Sequence, residues 1–158
     1  MKISTKGRYG LRMMIDIGMN QQEGPVSVRD IARRQSLSDK YLEQIITQAN
    51  RSGLLKSIRG AGGGYQLSRD AKDISVGDVL RAMEGSLSPV ACVQELTGET
   101  APCQNSGECA TYELWRDIKA AVDAVVDNRS LQDMIDNYTR KNGDREEVAK
   151  EENCACSI

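Results

Sequence analysis

Residues 27–67 read SVRDIARRQSLSDKYLEQIITQANRSGLLKSIRGAGGGYQL, and their caps, turns and glycine run decide the fold. Ser27 followed by Asp30 is a capping pair for a short helix through Arg34, with Val28, Ile31 and Ala32 turned inward. Gln35-Ser36-Leu37 forms a tight polar turn. Ser38 then caps a second helix whose inner face is Tyr41, Leu42, Ile45, Ile46 and Ala49, and two short helices across such a turn predict a helix-turn-helix. Past Gly53, Leu54 to Ile58 alternate apolar and polar as a strand does. Gly60 to Gly64 reverse the chain, and Tyr65-Gln66-Leu67 return as the second strand of a wing.

On the amino-terminal side, Leu11, Met14, Ile15 and Gly18 recur at helical spacing from Lys6 to about Asn20, and Gly24-Pro25 ends that helix. On the other side, Ser75 with Asp78 opens a helix through Glu84 that Gly85 stops. Residues 86–109 show no period, and a long loop of this kind in a compact domain is functional or disordered. This one holds Cys92, Cys103 and Cys109. From Leu114 the residues Trp115, Ile118, Ala121, Val122, Val125 and Val126 form an apolar stripe on a long helix ending near Asn128. That stripe is too wide to face water in so small a protein, which predicts a second copy as its partner. A short amphipathic helix follows over 130–138.

These elements give a mainly α chain built on a winged helix-turn-helix with a two-stranded wing and a long dimerisation helix. Its expected organisation is a DNA-binding domain at 1–84, a cysteine-bearing loop at 85–110, dimerisation and carboxy-terminal helices at 111–138, and a charged, disordered tail at 139–158.

Charge sorts the two halves. Residues 1–70 carry 12 Lys and Arg against 6 Asp and Glu, whereas 71–158 carry 9 against 17. The first half can therefore neutralise phosphates although the whole chain has a net charge of only −2. Ser38, Asp39, Lys40 and Glu43, with Gln44 and Gln48 further along, are placed to reach base edges or phosphates from the recognition helix. Arg59 at the wing tip suits a narrow minor groove. Lys2, Lys6, Arg8 and Arg12 can add phosphate contacts. A glycine-rich loop can also cradle a nucleotide, but here no Lys-Ser/Thr pair follows it and no helix opens after it.

There is no export signal and no long apolar run, so the expected location is cytoplasmic, with no membrane partner. In that reducing setting five cysteines read as ligands or sensors rather than disulfides. The C-x10-C-x5-C spacing in a polar, glycine-bearing loop lets three thiolates converge on one centre. Zinc is the rival occupant, since it too accepts three thiolates and a further donor. An electron-transfer role is disfavoured by the missing Cys-x-x-Cys, and enzymatic activity by the absence of any His, nucleophile elbow or paired acidic site.

Lys-Gly-Arg-Tyr at 6–9, Tyr-Leu-Glu-Gln at 41–44, Arg-Gly-Ala-Gly-Gly-Gly-Tyr at 59–65, Val-Gly-Asp at 76–78 and Leu-Trp-Arg-Asp at 114–117 together resemble the Rrf family of winged-helix regulators. The resemblance covers about residues 1–138. It implies a homodimeric transcriptional regulator on a pseudo-palindromic double-stranded operator, with the helix around Trp115 crossing between subunits. The set expected at DNA is Lys6, Arg8, Ser27, Ser38, Lys40, Tyr41, Glu43, Gln44, Arg59, Gly60 and Gly64. The set expected at the dimer interface is Leu114, Trp115, Ile118, Val122 and Val125.

In the cluster-binding branch three cysteines of this loop hold an iron-sulphur cluster, 2Fe-2S or in some members 4Fe-4S, and Cys92, Cys103 and Cys109 match them in order. Two departures stand out. The first interval is longer here, and Tyr112 occupies the position of that branch's histidine ligand. The fourth ligand is therefore open among Glu108, Glu113, a residue near Arg8 of a second subunit, Cys154, Cys156 or a small molecule. The alternative is a cluster-free branch, similar to the start of this chain, that regulates cysteine metabolism in complex with cysteine synthase; the carboxy-terminal Ser157-Ile158 resembles the terminal isoleucine by which serine acetyltransferase tails dock into that enzyme.

Overall fold

The computed structural model describes residues 2–94 and 107–154, with side chains through residue 142. Helix α1, Thr5–Asn20, is central: α2 (Val28–Gln35), α3 (Asp39–Arg51), α4 (Val76–Glu84), α6 (Leu131–Cys154) and strand β2 (Gly64–Leu67) all pack on it. β1 (Leu55–Ile58) pairs antiparallel with β2 in the register Leu55–Leu67 through Ile58–Gly64. Helix α5, Tyr112–Asp127, lies against α4.

The three serine caps read from sequence are present as hydrogen bonds: Ser27 Oγ accepts the Asp30 amide, Ser38 Oγ accepts the Tyr41 amide, and Ser75 and Asp78 form the full reciprocal capping box. A further cap, unread in the sequence, is Ser4, whose Oγ accepts the Lys6 and Gly7 amides. These bonds satisfy amides that would otherwise lack partners in the first turn. The turn between α2 and α3 places Ser36 at φ 54°. Its amide closes α2 back onto Ala32 and Arg33, and the chain leaves at the angle a helix-turn-helix requires.

The core joins Met13, Met14 and Ile17 of α1 with Ile31 and Ala32 of α2 and with Leu42, Ile45, Ile46 and Ala49 of α3. Val79 and Met83 of α4 and Leu131 of α6 complete it. The expected stripe on α1 is thus rotated: Met13 and Ile17 are fully buried, while Leu11 and Ile15 are half-buried. A helix packed on several sides has no single polar face for periodicity to reveal. Gly10 lets Met83 of α4 sit directly on the α1 backbone, where a Cβ would collide with its side chain.

Val122 and Val126, both half-buried, pack within the chain on Val76, Leu80 and Leu87. One further expectation meets a different structure: helix α6 runs on to Cys154, past Tyr138 and into the segment expected to be disordered. Its Lys-, Arg- and Glu-rich composition, which reads as an unstructured tail, is also that of good helix formers.

Candidate nucleic-acid interface and cysteine loop

The outer face of α3 presents Lys40, Glu43, Gln44, Thr47 and Arg51, and with Gln48 and with Lys6 of α1 they line an open groove. The helical period explains the set: 40, 44, 47 and 51 share one stripe, so Thr47 and Arg51 follow from extending the pattern that first suggested Lys40 and Gln44. Cations at Lys6, Lys40 and Arg51 border the polar groups, an arrangement chemically suited to phosphates around a base edge.

The start of the recognition helix is held by an aromatic contact. Tyr9 and Tyr41 meet edge to face, with centroids 6.2 Å apart and planes at 90°. The guanidinium carbons of Arg8 and Arg12 lie 5.7 and 5.5 Å from the centroid of Tyr9, close enough for cation–π attraction. Tyr41 is therefore half-buried, with its ring packed on Tyr9 and the core, while Arg8 and Arg12 are set beside the recognition helix.

Behind them lies a residue that sequence reasoning missed. Asp16 is 5% exposed, and its carboxylate accepts Arg34 Nη2 at 2.6 Å, Arg34 Nε at 3.0 Å and Gln35 Nε2 at 2.9 Å. Gln35 in turn accepts Arg12 Nε at 3.0 Å. A chain of polar contacts thus joins α1 and α2 and ends on a cation of the DNA-facing surface. Asp16 keeps the Arg34 guanidinium more firmly protonated than usual. Among apolar neighbours at i−3 and i−2, an isolated Asp in a helix gives no periodic signal.

The wing is fastened at its base and free at its tip. Val26 and Tyr65 exchange two backbone hydrogen bonds of 2.9 Å, and Gln21 Oε1 accepts the Leu67 amide at 2.8 Å. A Cβ at Gly64 would land on the Val26 carbonyl, so Gly64 serves this close approach. Gly60 adopts φ 121° at the turn, and Arg59 beside it is exposed. Ser27 and Ser38 use their hydroxyls as caps. Gln48 also lines the groove, half-buried at its inner side, but its amide is engaged with α4, its Nε2 donating to the Ala82 carbonyl at 2.5 Å and the Met83 carbonyl at 3.3 Å.

Of the loop cysteines, Cys92 is half-buried in a 3-10 turn at Ala91–Val93 that packs on α5. Cys109 is exposed just before the α5 amino terminus, and both are free thiols. The Cys109 thiol lies 3.4 Å from Thr111 Oγ1. Hydrogen bonding from Thr111, chiefly through its side chain and then its backbone, lowers the Cys109 pKa below the ordinary thiol value. Cys103 and the tail residues Cys156, Ser157 and Ile158 lie outside the described residues, and no side chain is described at Cys154. Among the described residues no three candidate ligands come together.

On the outer edge of α5, Leu114 is 55% and Val125 66% exposed, with Trp115 and Ile118 half-buried between them. The inner edge is clamped to α4. Arg81 Nη1 reaches Asp127 at 2.6 Å and its Nη2 reaches Asp123 at 2.7 Å, while Lys119 Nζ is 2.7 Å from Asp123. No helix among the described residues is long and apolar enough to cross a membrane.

Comparison with known proteins agrees with this arrangement. The Rrf2 family model, described as an iron-dependent transcriptional regulator, matches residues 3–137. The HTH-type transcriptional regulator IscR of Serratia proteamaculans is 39% identical over 137 residues, which span 87% of this chain and 80% of that protein. Among solved structures, CymR, the global cysteine regulator of B. subtilis, is similar at 42% identity and a TM-score of 0.69, covering 87% of this chain and 98% of that one. T. potens IscR is similar at 40% identity and a TM-score of 0.67, covering 87% and 88%. A recognition helix bordered by cations, a wing tipped with arginine and these likenesses lead to one conclusion: the chain belongs to the Rrf2 family of DNA-binding transcriptional regulators, which are not enzymes.

Proposed function

We propose that the protein is a homodimeric regulator whose operator binding is controlled by an iron-sulphur cluster, 2Fe-2S in type, held by Cys92, Cys103 and Cys109. The observation that carries this reading is the position of the two described cysteines. Cys92 sits in a turn packed on α5, and Cys109 opens onto the start of the same helix. The donor chemistry fits the group: both thiols are free, and that of Cys109 is biased toward the thiolate that ligates iron. When bound, the cluster supplies a centre sensitive to oxidants, nitric oxide or iron supply.

The fourth ligand is drawn from Glu108 or Glu113, both exposed beside Cys109, from the region of Arg8 in a second subunit, from the tail cysteines or from a small molecule. Leu114, Trp115, Ile118 and Val125 form the apolar edge that a second copy covers. At the DNA, Lys6, Arg8, Lys40 and Arg51 hold phosphates, Glu43 and Gln44 face the bases, and Arg59 enters the minor groove. Glu43 discriminates between operators, because a carboxylate set against phosphate or a wrong base is repulsive.

The test is anaerobic purification followed by a visible spectrum and assays for iron, acid-labile sulphide and zinc. Iron and sulphide in matching amounts are expected, with charge-transfer bands lost in the variant carrying Cys92→Ala, Cys103→Ala and Cys109→Ala and with altered affinity for an operator selected from random DNA. Equal operator affinity of the cluster-loaded protein and the triple variant would refute the control.

The likeness to CymR at 42% identity favours a second reading, a cluster-free regulator of cysteine metabolism acting in complex with cysteine synthase. A colourless protein that takes up no cluster on reconstitution, and that captures cysteine synthase only while Ile158 is present, would establish it.

A further inference from the structure

The carboxy-terminal end of α4 is tied to both helices of the DNA-facing surface. A helix leaves its last carbonyls without intrahelical partners. In α4 the Arg81 carbonyl is taken by the Gly85 amide, while those of Ala82 and Met83 are taken by the side-chain amide of Gln48, which arrives from the recognition helix. The next residue, Glu84, turns the other way. Its Oε1 accepts the Ser4 amide at 3.1 Å and the Ser4 hydroxyl at 2.6 Å, and Ser4 is the residue that caps α1.

A carboxylate at the end of α4 opposes that helix's own dipole, but at the start of α1 it complements the dipole it faces. Gly7 makes this approach possible, since a Cβ there would collide with the Glu84 carboxylate. The last turn of one short helix therefore positions the amino terminus of α1, with Lys6 and Arg8, and the recognition helix, with Lys40, Glu43 and Gln44.

We infer that Gln48 is a positioning residue and not a base reader, and that with Glu84 it fixes the alignment of α1 and α3 that the operator requires. The chain passes from this end of α4 through buried Leu87 to the turn that bears Cys92. On the proposed cluster-controlled reading, residues 82–84 are accordingly where the loop acts on the DNA-reading surface. The positioning role itself does not depend on that reading.

The roles separate on cluster-free protein, using the selected operator and its full set of single-base-pair variants. A base reader loses affinity at the base pair it contacts, whereas a positioning residue loses it evenly. Gln48→Ala is expected to weaken binding about tenfold, by the same factor on every variant and with an unchanged salt slope. Gln48→Glu, which sets a carboxylate against two carbonyls, is expected to weaken it further. Should Gln48→Ala fail to fold, Gln48→Met keeps the length without the donor and carries the same expectation. A loss confined to one base pair, or unchanged affinity, would overturn the inference. In cluster-loaded protein, a Gln48→Ala variant that still responds to its cluster would refute only the passage through residues 82–84. No response in the wild type would refute the cluster reading and leave the positioning result standing.

Discussion

Removing the carboxylate of Asp16 should loosen the first helix of the helix-turn-helix from α1, and the geometry sets how much. Asp16 is 5% exposed, while the Arg34 side chain that pairs with it is 33% exposed. Breaking a fully buried pair costs about 3–5 kcal/mol and breaking a surface pair about 1 kcal/mol or less. The Asp16–Arg34 pair is buried on one side only, so the two single substitutions should differ. Asp16→Ala leaves a guanidinium that turns into water, at a cost of about 2 kcal/mol. Arg34→Ala leaves a buried carboxylate with amide donors from Gln35 and, at 3.5 Å, Asn20 but no cation, at a cost of about 3 kcal/mol.

Urea unfolding of the two single variants and the double variant closes the cycle. A coupling of about 2 kcal/mol is expected, with a fall in Tm of about 10 °C for Asp16→Ala. Coupling below about 0.5 kcal/mol, or an Arg34→Ala variant more stable than Asp16→Ala, would refute the account, because either result would mean that the pair is solvated like a surface bridge.

Gly64→Ala should destabilise the protein by about 1–3 kcal/mol, since the new methyl meets the Val26 carbonyl at the wing base; unfolding curves matching wild type would contradict it. Asp123 is held below its ordinary value of 3.8, first by Lys119 and then by Arg81. A depressed carboxylate contributes stability above its unfolded pKa and loses it as pH falls through the folded value, so acid titration from about pH 5 to pH 2 should release the α4–α5 clamp. Asp123→Asn should flatten that part of the curve, and an unaltered acid limb would count against the assignment. Leu114→Asp combined with Val125→Asp should shift sedimentation from dimer to monomer and weaken operator binding; a dimer that persists would place the interface elsewhere.

The features legible in the sequence are those whose chemistry closes within a few residues. Ser27 with Asp30 and Ser75 with Asp78 are each read from a spacing of three, and Ser38 from its place ahead of an apolar-periodic run, because the cap bond spans three residues whatever surrounds it. The wing is legible for the same reason, its turn residues lying inside the hairpin that they close. Asp16, Gln48 and Val122 are not legible, since each has its decisive partner 18 or more residues away, at Arg34, Ala82 and Leu80. Gln48 shows why such residues mislead. On a helix wheel its edge position and its amide suit an adenine, and nothing local distinguishes a base edge from the open carbonyls of another helix, because both accept the same N–H bond. Only the packing of α4 on α3 decides between them. That packing also couples α4 to the recognition helix: the last carbonyls of α4 are completed by Gln48, so any shift of α4 must either break those bonds or carry α3 with it.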